Sequence, residues 1–175
     1  MEKLQDRLLY CDTDSCVFLA SENNRTEYRP PLGTLLGDMT DELETYGAGS
    51  YIKTFACAGP KFYALEIVSG RTGETHQTVK VKGVTLNFLN STKVNFASIK
   101  QLVWNKFRET SGDDADDDDD GGKCISLKFR AIRRLPGHVV VTRDETKTCA
   151  VVLKKRIFLD EKTSIPFGFA DPTKL

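Results

Sequence analysis

The stretch Arg7–Ala20, RLLYCDTDSCVFLA, sets two apolar runs around Asp12, Thr13 and Asp14. Leu8 to Cys11 and Cys16 to Ala20 read as paired strands, and the polar residues between them as their turn. Side chains two apart share a face of a strand, and on a tight turn the two carboxylates would converge further. Neighbouring carboxylates repel unless a cation lies between them, and hard oxygen donors suit Mg²⁺ or Mn²⁺ rather than zinc. An ordinary Asp-Thr-Asp-Ser turn uses the same residues to bond its own backbone. Both readings stand on these residues alone. The flanks favour the first, because apolar strands would seat the pair at the edge of a core, where an unneutralised pair is costly.

Further along, GDMTDELETYG (Gly37 to Gly47) predicts a short helix with Asp38 as N-cap, Asp41 three residues on and Gly47 as its stop. Ser50 to Cys57 and Lys61 to Val68 predict strands around AGP, where Gly59 and Pro60 punctuate. The turn SGRTG leads to an alternating Thr78 to Leu86 that should pair back. After Asn95 the spacing becomes helical, with Phe96, Ile99, Val103 and Phe107 on one face and Leu102 beside them. GHVVVTRDETKTCAVVLKKRIFL predicts two strands around a polar turn, RDETK. Strands with a few helices make the fold class α+β.

The chain has 175 residues, of which 39% are apolar, enough for one domain or a domain with an appendage. No apolar run approaches the roughly 20 residues of a membrane span, and Met1 to Arg7 lacks the apolar stretch of a secretory signal. No membrane partner is expected, and the expected location is intracellular. Cys11, Cys16, Cys57, Cys124 and Cys149 form no CxxC pair, and His76 and His138 are the sole histidines, so zinc spacing is absent. The net charge of zero conceals a seven-aspartate run, Asp113 to Asp120, broken only at Ala115. Without it the chain carries 25 basic against 18 acidic residues, and Lys123 to Arg156 holds ten Lys and Arg against Asp144 and Glu145. That balance suits an anionic partner such as nucleic acid, or a solvated surface. Like-charge repulsion and glycine entropy make 110–122 a disordered acidic linker or loop, dividing 1–109 from 123–175. The second part is short for an independent core and should lean on the first or on something outside this chain.

YCDTDS, Tyr10 to Ser15, resembles the YxDTDS signature of family B DNA polymerases, which there forms the tip of a palm-domain hairpin. AGPKFYAL, Ala58 to Leu65, resembles the K-x-Y element of the same enzymes, which in the protein-primed branch often reads GGPKNYAY. PPLGTLLGDMTDEL (Pro31 to Leu43), KVKGVTLNF (Lys80 to Phe88) and KKRIFLDEKTSIPFGF (Lys154 to Phe169) also resemble that branch, nearest to polymerases of Maverick/Polinton transposons and adenovirus-like elements. The likeness follows the family's order along most of the chain except the acidic run.

The resemblance implies a DNA-directed DNA polymerase, a nucleotidyltransferase of DNA replication, of which 1–109 is the end of the palm and 123–175 a thumb-like segment. It puts metal ligation for two-ion catalysis by Mg²⁺ or Mn²⁺ on Asp14, with Asp12 supporting the site and more variably a ligand. Tyr10 and Thr13 would shape the turn and the approach of the primer end, and Lys61 and Tyr63 would touch the primer strand. The alternation of Lys61 and Tyr63 puts both on one strand face. Implied partners are a DNA primer-template, dNTP and, by the branch, a terminal protein primer; a eukaryotic host would make the location nuclear.

Phe62 departs from the usual polar residue between Lys61 and Tyr63. The family's upstream D-x-x-S-L-Y-P and K-x-x-x-N-S-x-Y-G motifs and its exonuclease domain do not occur here. The chain is therefore expected to begin inside a larger enzyme's palm, to carry half of a metal site, and to be inactive alone. Two other readings remain: a non-catalytic DNA-binding remnant of a transposon polymerase, and a DxD glycosyltransferase, which lacks its nucleotide-binding α/β unit and leaves K-x-Y unexplained.

Overall fold

A computed structural model describes residues 3–21, 24, 26–111, 124–152, 156–158 and 164–166. The acidic run Asp113 to Asp120 and most of Lys154 to Phe169 lie outside the described residues. The chain is α+β. Strands β1 (Leu8–Asp12) and β2 (Ser15–Phe18) pair, as do β6 (Cys124–Arg134) and β7 (Val140–Ala150), and β8 (Arg156–Phe158) and β9 (Ser164–Pro166), all antiparallel. β3 (Tyr51–Gly59), β4 (Phe62–Val68) and β5 (Thr75–Lys80) form a three-stranded sheet in that order. Its connections are too short for anything but an antiparallel meander. Helices α1 (Phe88–Lys93) and α2 (Phe96–Ser111) follow. No helix among the described residues is long and apolar enough to cross a membrane.

Two compact units emerge, one within Met1–Tyr51 and Val68–Glu74, the other within Ile52–Ile67 and Thr75–Leu175. In the first, the predicted Asp38-capped helix shrinks to a single 3₁₀ turn, Glu44–Tyr46, closed by Gly47 at φ 104°. The reason is local competition for backbone donors. The Asp38 carboxylate accepts from Leu35 N–H (3.1 Å), upstream, instead of capping the residues after it, and Asp41 accepts from Leu43 N–H (2.9 Å), a donor the helix ladder would use. The SGRTG turn is organised by buried Ser69, whose hydroxyl donates to Tyr46 O (2.7 Å) and accepts from Arg71 and Thr72 N–H (3.2 Å each).

The second unit holds the apolar core: Ala56, Ala58, Phe62 and Ala64 from the sheet, Val94 beside α1, Phe96, Ile99 and Leu102 from α2, and Leu127 and Cys149 from the β6–β7 ribbon. The helical spacing after Asn95 is realised in α2, which Asn95 and Ser98 cap reciprocally: Ser98 N–H donates to Asn95 Oδ1 (3.0 Å) and Asn95 N–H to Ser98 Oγ (2.9 Å). Leu127 and Cys149 join the core that β3, β4 and α2 build within this unit.

Two further predicted elements are corrected, and one helix is added. β5 spans Thr75–Lys80, not Thr78 to Leu86, because Gly83 at φ 67° and a Val84 N–H to Val81 O bond (3.1 Å) turn the chain after Lys80. α1, capped by Asn87 Oδ1 accepting from Asn90 N–H (2.8 Å), follows that turn and has no counterpart in the sequence reading. RDETK is no turn: Arg143 to Lys147 run through the middle of β7, paired with Leu127 to Ala131 of β6. The reversal lies instead at Leu135–Val139, where Gly137 (φ 78°) and His138 (φ 63°) take left-handed backbone.

Candidate metal centre and nucleic-acid surface

Apolar flanks and a polar tip fold Arg7–Ala20 into the expected hairpin. Asp12 pairs with Ser15, which leaves Thr13 and Asp14 as a two-residue turn. The tip is tightly bound to itself. Asp14 N–H donates to Asp12 O (2.7 Å), Ser15 Oγ donates to the same carbonyl (3.3 Å), and Thr13 Oγ1 donates to Asp12 Oδ1 (3.4 Å). Thr13 sits at φ 55°, a left-handed conformation that is an outlier for a β-branched residue and costs about 1–3 kcal/mol. A register shift between Leu8 and Tyr10 puts one extra residue into β1, so the strand kinks just below the tip. Tyr10 is half-buried opposite Val17.

The expectation that a core abuts the carboxylates is not met. Every residue of β1 and β2 except exposed Cys11 is half-buried, and Asp14 is exposed. Leu4 is the one buried apolar residue in this unit among the described residues. The hairpin is tied down at its base by Arg7 instead. Its guanidinium donates to Leu19 O (3.2 Å), to Glu27 Oε2 (3.2 Å) and to Tyr28 O (2.7 Å).

Two hard carboxylates at a tip suit a divalent cation as far as they go. Among the described residues no three of His, Cys, Asp and Glu come together as a metal-binding group. Asp12 and Asp14 therefore provide at most two protein ligands.

Lys61 and Tyr63 sit on a second hairpin, in the other unit. Pro60 and Lys61 are the two residues between β3 and β4, and Lys61 takes φ 56°. A two-residue turn with Pro first and a positive φ second is the type II pattern, whose second position favours glycine. Lys61 holds that position and is exposed. It precedes β4, so strand alternation does not govern its direction. Tyr63 is half-buried on β4, its ring 5.9 Å from that of Phe55 on β3. Phe62 is buried in the core, which gives a physical reason for an apolar residue between Lys61 and Tyr63. Gly59 is required sterically: it lies at φ 145°, and a Cβ there would stand 2.7 Å from Val152 O.

The basic C-terminal part contributes a surface that the sequence reading left without named residues. Pairing along β6–β7 puts Ser126, Lys128, Arg130, Ile132 and Arg134 on one face with Val140, Thr142, Asp144, Thr146 and Thr148, and every one is exposed. The opposite face carries buried Leu127 and Cys149. The period-two spacing of Ile125, Leu127, Phe129 and Ala131 against Ser126, Lys128 and Arg130 was the available signal. Arg130 pairs with Asp144 (3.4 Å) and Arg133 grips Glu145 with two nitrogens (2.9 and 3.0 Å), while Lys147 donates to Lys82 O. Lys128 and Arg134 on the exposed face, with its hydroxyls, make a surface suited to phosphate oxygens.

Cys149, at the root of the ribbon, has its thiol pKa pushed up by burial, opposed in part by the nearby Lys147 charge and raised a little further by Cys124. Comparison of the chain with protein-family models, with curated proteins and with solved structures found no match.

Proposed function

We propose that this chain is the C-terminal palm and thumb portion of a DNA-directed DNA polymerase of the family B, protein-primed type, acting in template-directed nucleotidyl transfer. The observation that carries the reading is the folding of Tyr10 to Ser15 as a two-residue hairpin turn, with Asp12 at its base, Asp14 exposed in it and Thr13 held at a strained φ of 55°. Local strain of this kind persists where the surroundings need a particular backbone path. Asp14, with Asp12, would hold Mg²⁺ or Mn²⁺, whose chemistry is to stabilise the oxygens that gain charge in phosphoryl transfer. Lys61 would contact the primer phosphates and Tyr63 would pack on a sugar or base. The exposed β6–β7 face would hold duplex through its backbone, a sequence-independent contact weakened by salt. The partners are primer-template DNA, dNTP and a terminal protein primer.

The test is primer extension by this chain and by a version extended with the reading frame preceding Met1. The chain alone is expected to add no nucleotide. The extended protein is expected to extend primers with Mg²⁺ or Mn²⁺, and Asp14→Ala to abolish that extension. Extension unaffected by Asp14→Ala, or none from the extended protein, overturns the reading. One observation favours a second reading, a non-catalytic DNA-binding module: the ribbon's exposed basic face is built without the carboxylate hairpin. Salt-sensitive DNA binding unchanged by Asp14→Ala, with no extension from any longer product, would select it.

A further inference from the structure

Cys11 and Cys16 flank the DTD turn and are direct partners across the β1–β2 ladder. Both are free thiols, Cys11 exposed and Cys16 half-buried. A two-residue turn closes on a hydrogen-bonded pair, here Asp12 and Ser15. Hydrogen-bonded and non-hydrogen-bonded pairs alternate along an antiparallel ladder, so Cys11 and Cys16 form a non-hydrogen-bonded pair. In such a pair the Cα atoms stand about 4.5 Å apart and the side chains lie on the same face. That spacing falls inside the range of about 4.4–6.8 Å that a disulfide spans without moving the backbone.

We propose that Cys11 and Cys16 form a reversible dithiol–disulfide site that clamps the hairpin directly beneath Asp12 and Asp14. The oxidant is a peroxide or a low-molecular-weight disulfide. With hydrogen peroxide, the two S–H bonds and the O–O bond break, one S–S bond forms, and both thiol protons leave in two waters. With oxidised glutathione, two exchange steps transfer the bond and release two reduced glutathiones. The loop enclosed is only Asp12 to Ser15, so less chain entropy is removed than by a link between distant residues. Exposed, short cross-links of this kind are the reducible ones, which suits a switch more than a permanent staple.

Closing it fixes the distance between β1 and β2 one residue from each end of the turn. It thereby restricts how Asp12 and Asp14 adjust to a cation. This consequence rests on the polymerase reading, whereas formation of the bond does not.

The experiment equilibrates the full chain in glutathione buffers of graded potential, traps free thiols by alkylation, and maps peptides by mass. The expected result is one internal cross-link, Cys11 to Cys16, that appears as the buffer becomes oxidising and reverts with dithiothreitol. Cys57 and Cys149 should remain uncross-linked. Cys16→Ser should convert Cys11 to a mixed disulfide with glutathione, its fold checked by circular dichroism. Separate glutathione adducts on Cys11 and Cys16 of the unsubstituted chain, or a link from either to Cys124, overturn the proposal. In the extended protein, oxidation should lower primer extension at least several-fold, with full recovery on reduction and no effect in Cys16→Ser. A cross-link that leaves extension unchanged overturns the switch while leaving the polymerase reading intact. A cross-link in a protein without extension counts against the polymerase reading alone.

Discussion

The hairpin with Asp12 and Asp14 and the hairpin with Lys61 and Tyr63 have similar two-residue turns and opposite foundations. β3–β4 is rooted in apolar packing, where Ala56, Ala58, Phe62 and Ala64 meet Ile99 and Leu102 of α2. β1–β2 has half-covered strands and is anchored by the polar contacts of one arginine. A two-stranded ribbon is marginal alone in water. For the proposed cation site the polar frame is an advantage, because it leaves Asp14 open, whereas a core around it would impose a desolvation penalty. Under the proposed function Lys61 reaches along DNA and gains from rigid footing, which buried Phe62 provides next to it. In each turn a non-glycine residue takes left-handed backbone, Thr13 in one and Lys61 in the other.

The largest expected effect comes from the apolar side of this contrast. Ile99 is fully buried, so Ile99→Ala should lower stability by about 2–5 kcal/mol in denaturant unfolding. Equal loss of amide protection in β1–β2 and in α2 would break the comparison by showing a single cooperative unit.

Arg7→Ala tests the polar side. Arg7 and Glu27 each retain 19% of their side-chain exposure, so the pair is only partly screened. Its loss should cost about 1.5–3 kcal/mol, the range for hydrogen bonds to charged groups. Hydrogen exchange should rise in β1–β2 and leave α2 unchanged.

The two turns come next. Thr13→Gly and Lys61→Gly should each relieve strain and raise stability by about 1 kcal/mol. If either lowers stability, its side chain contributes more to the turn than its backbone strain costs. Gains in stability combined with loss of primer binding would sharpen the case for functional side chains at both tips.

Alkaline pH probes the root of the ribbon. Burial raises the Cys149 pKa in the folded protein, so above the ordinary thiol value of 9.0 the unfolded chain ionises first. The stability from the buried neutral thiol is full below that value and declines as pH rises through the folded one. Cys149→Ala should flatten this part of the pH profile. The smallest effect belongs to the surface pair Arg130–Asp144, exposed by 78% and 88%. Asp144→Asn should change stability by less than about 0.5 kcal/mol. Under the proposed function it should also tighten salt-sensitive DNA binding, by removing a negative charge from the basic face.

Elements built from near neighbours were legible in the sequence. The DTD hairpin needs only two apolar runs and a polar turn, and the stripe of α2 was legible from Phe96, Ile99, Val103 and Phe107, although the fold buries Leu102 and leaves Val103 and Phe107 half-buried. The α+β class follows from elements of that kind. RDETK shows where such reading stops. Five polar residues look like a loop, because local preference is all that a short window reports. In the fold they form a strand because a distant partner, β6, supplies the backbone bonds and sets Arg130 against Asp144.

Tertiary structure likewise decided that Lys61 belongs to a turn, that Phe62 faces a core, and that Gly59 must admit the Val152 carbonyl. It also decided that the carboxylate hairpin is anchored by Arg7 and only half-covers its apolar residues. These outcomes depend on contacts between residues far apart in the chain, whose energies no local pattern contains.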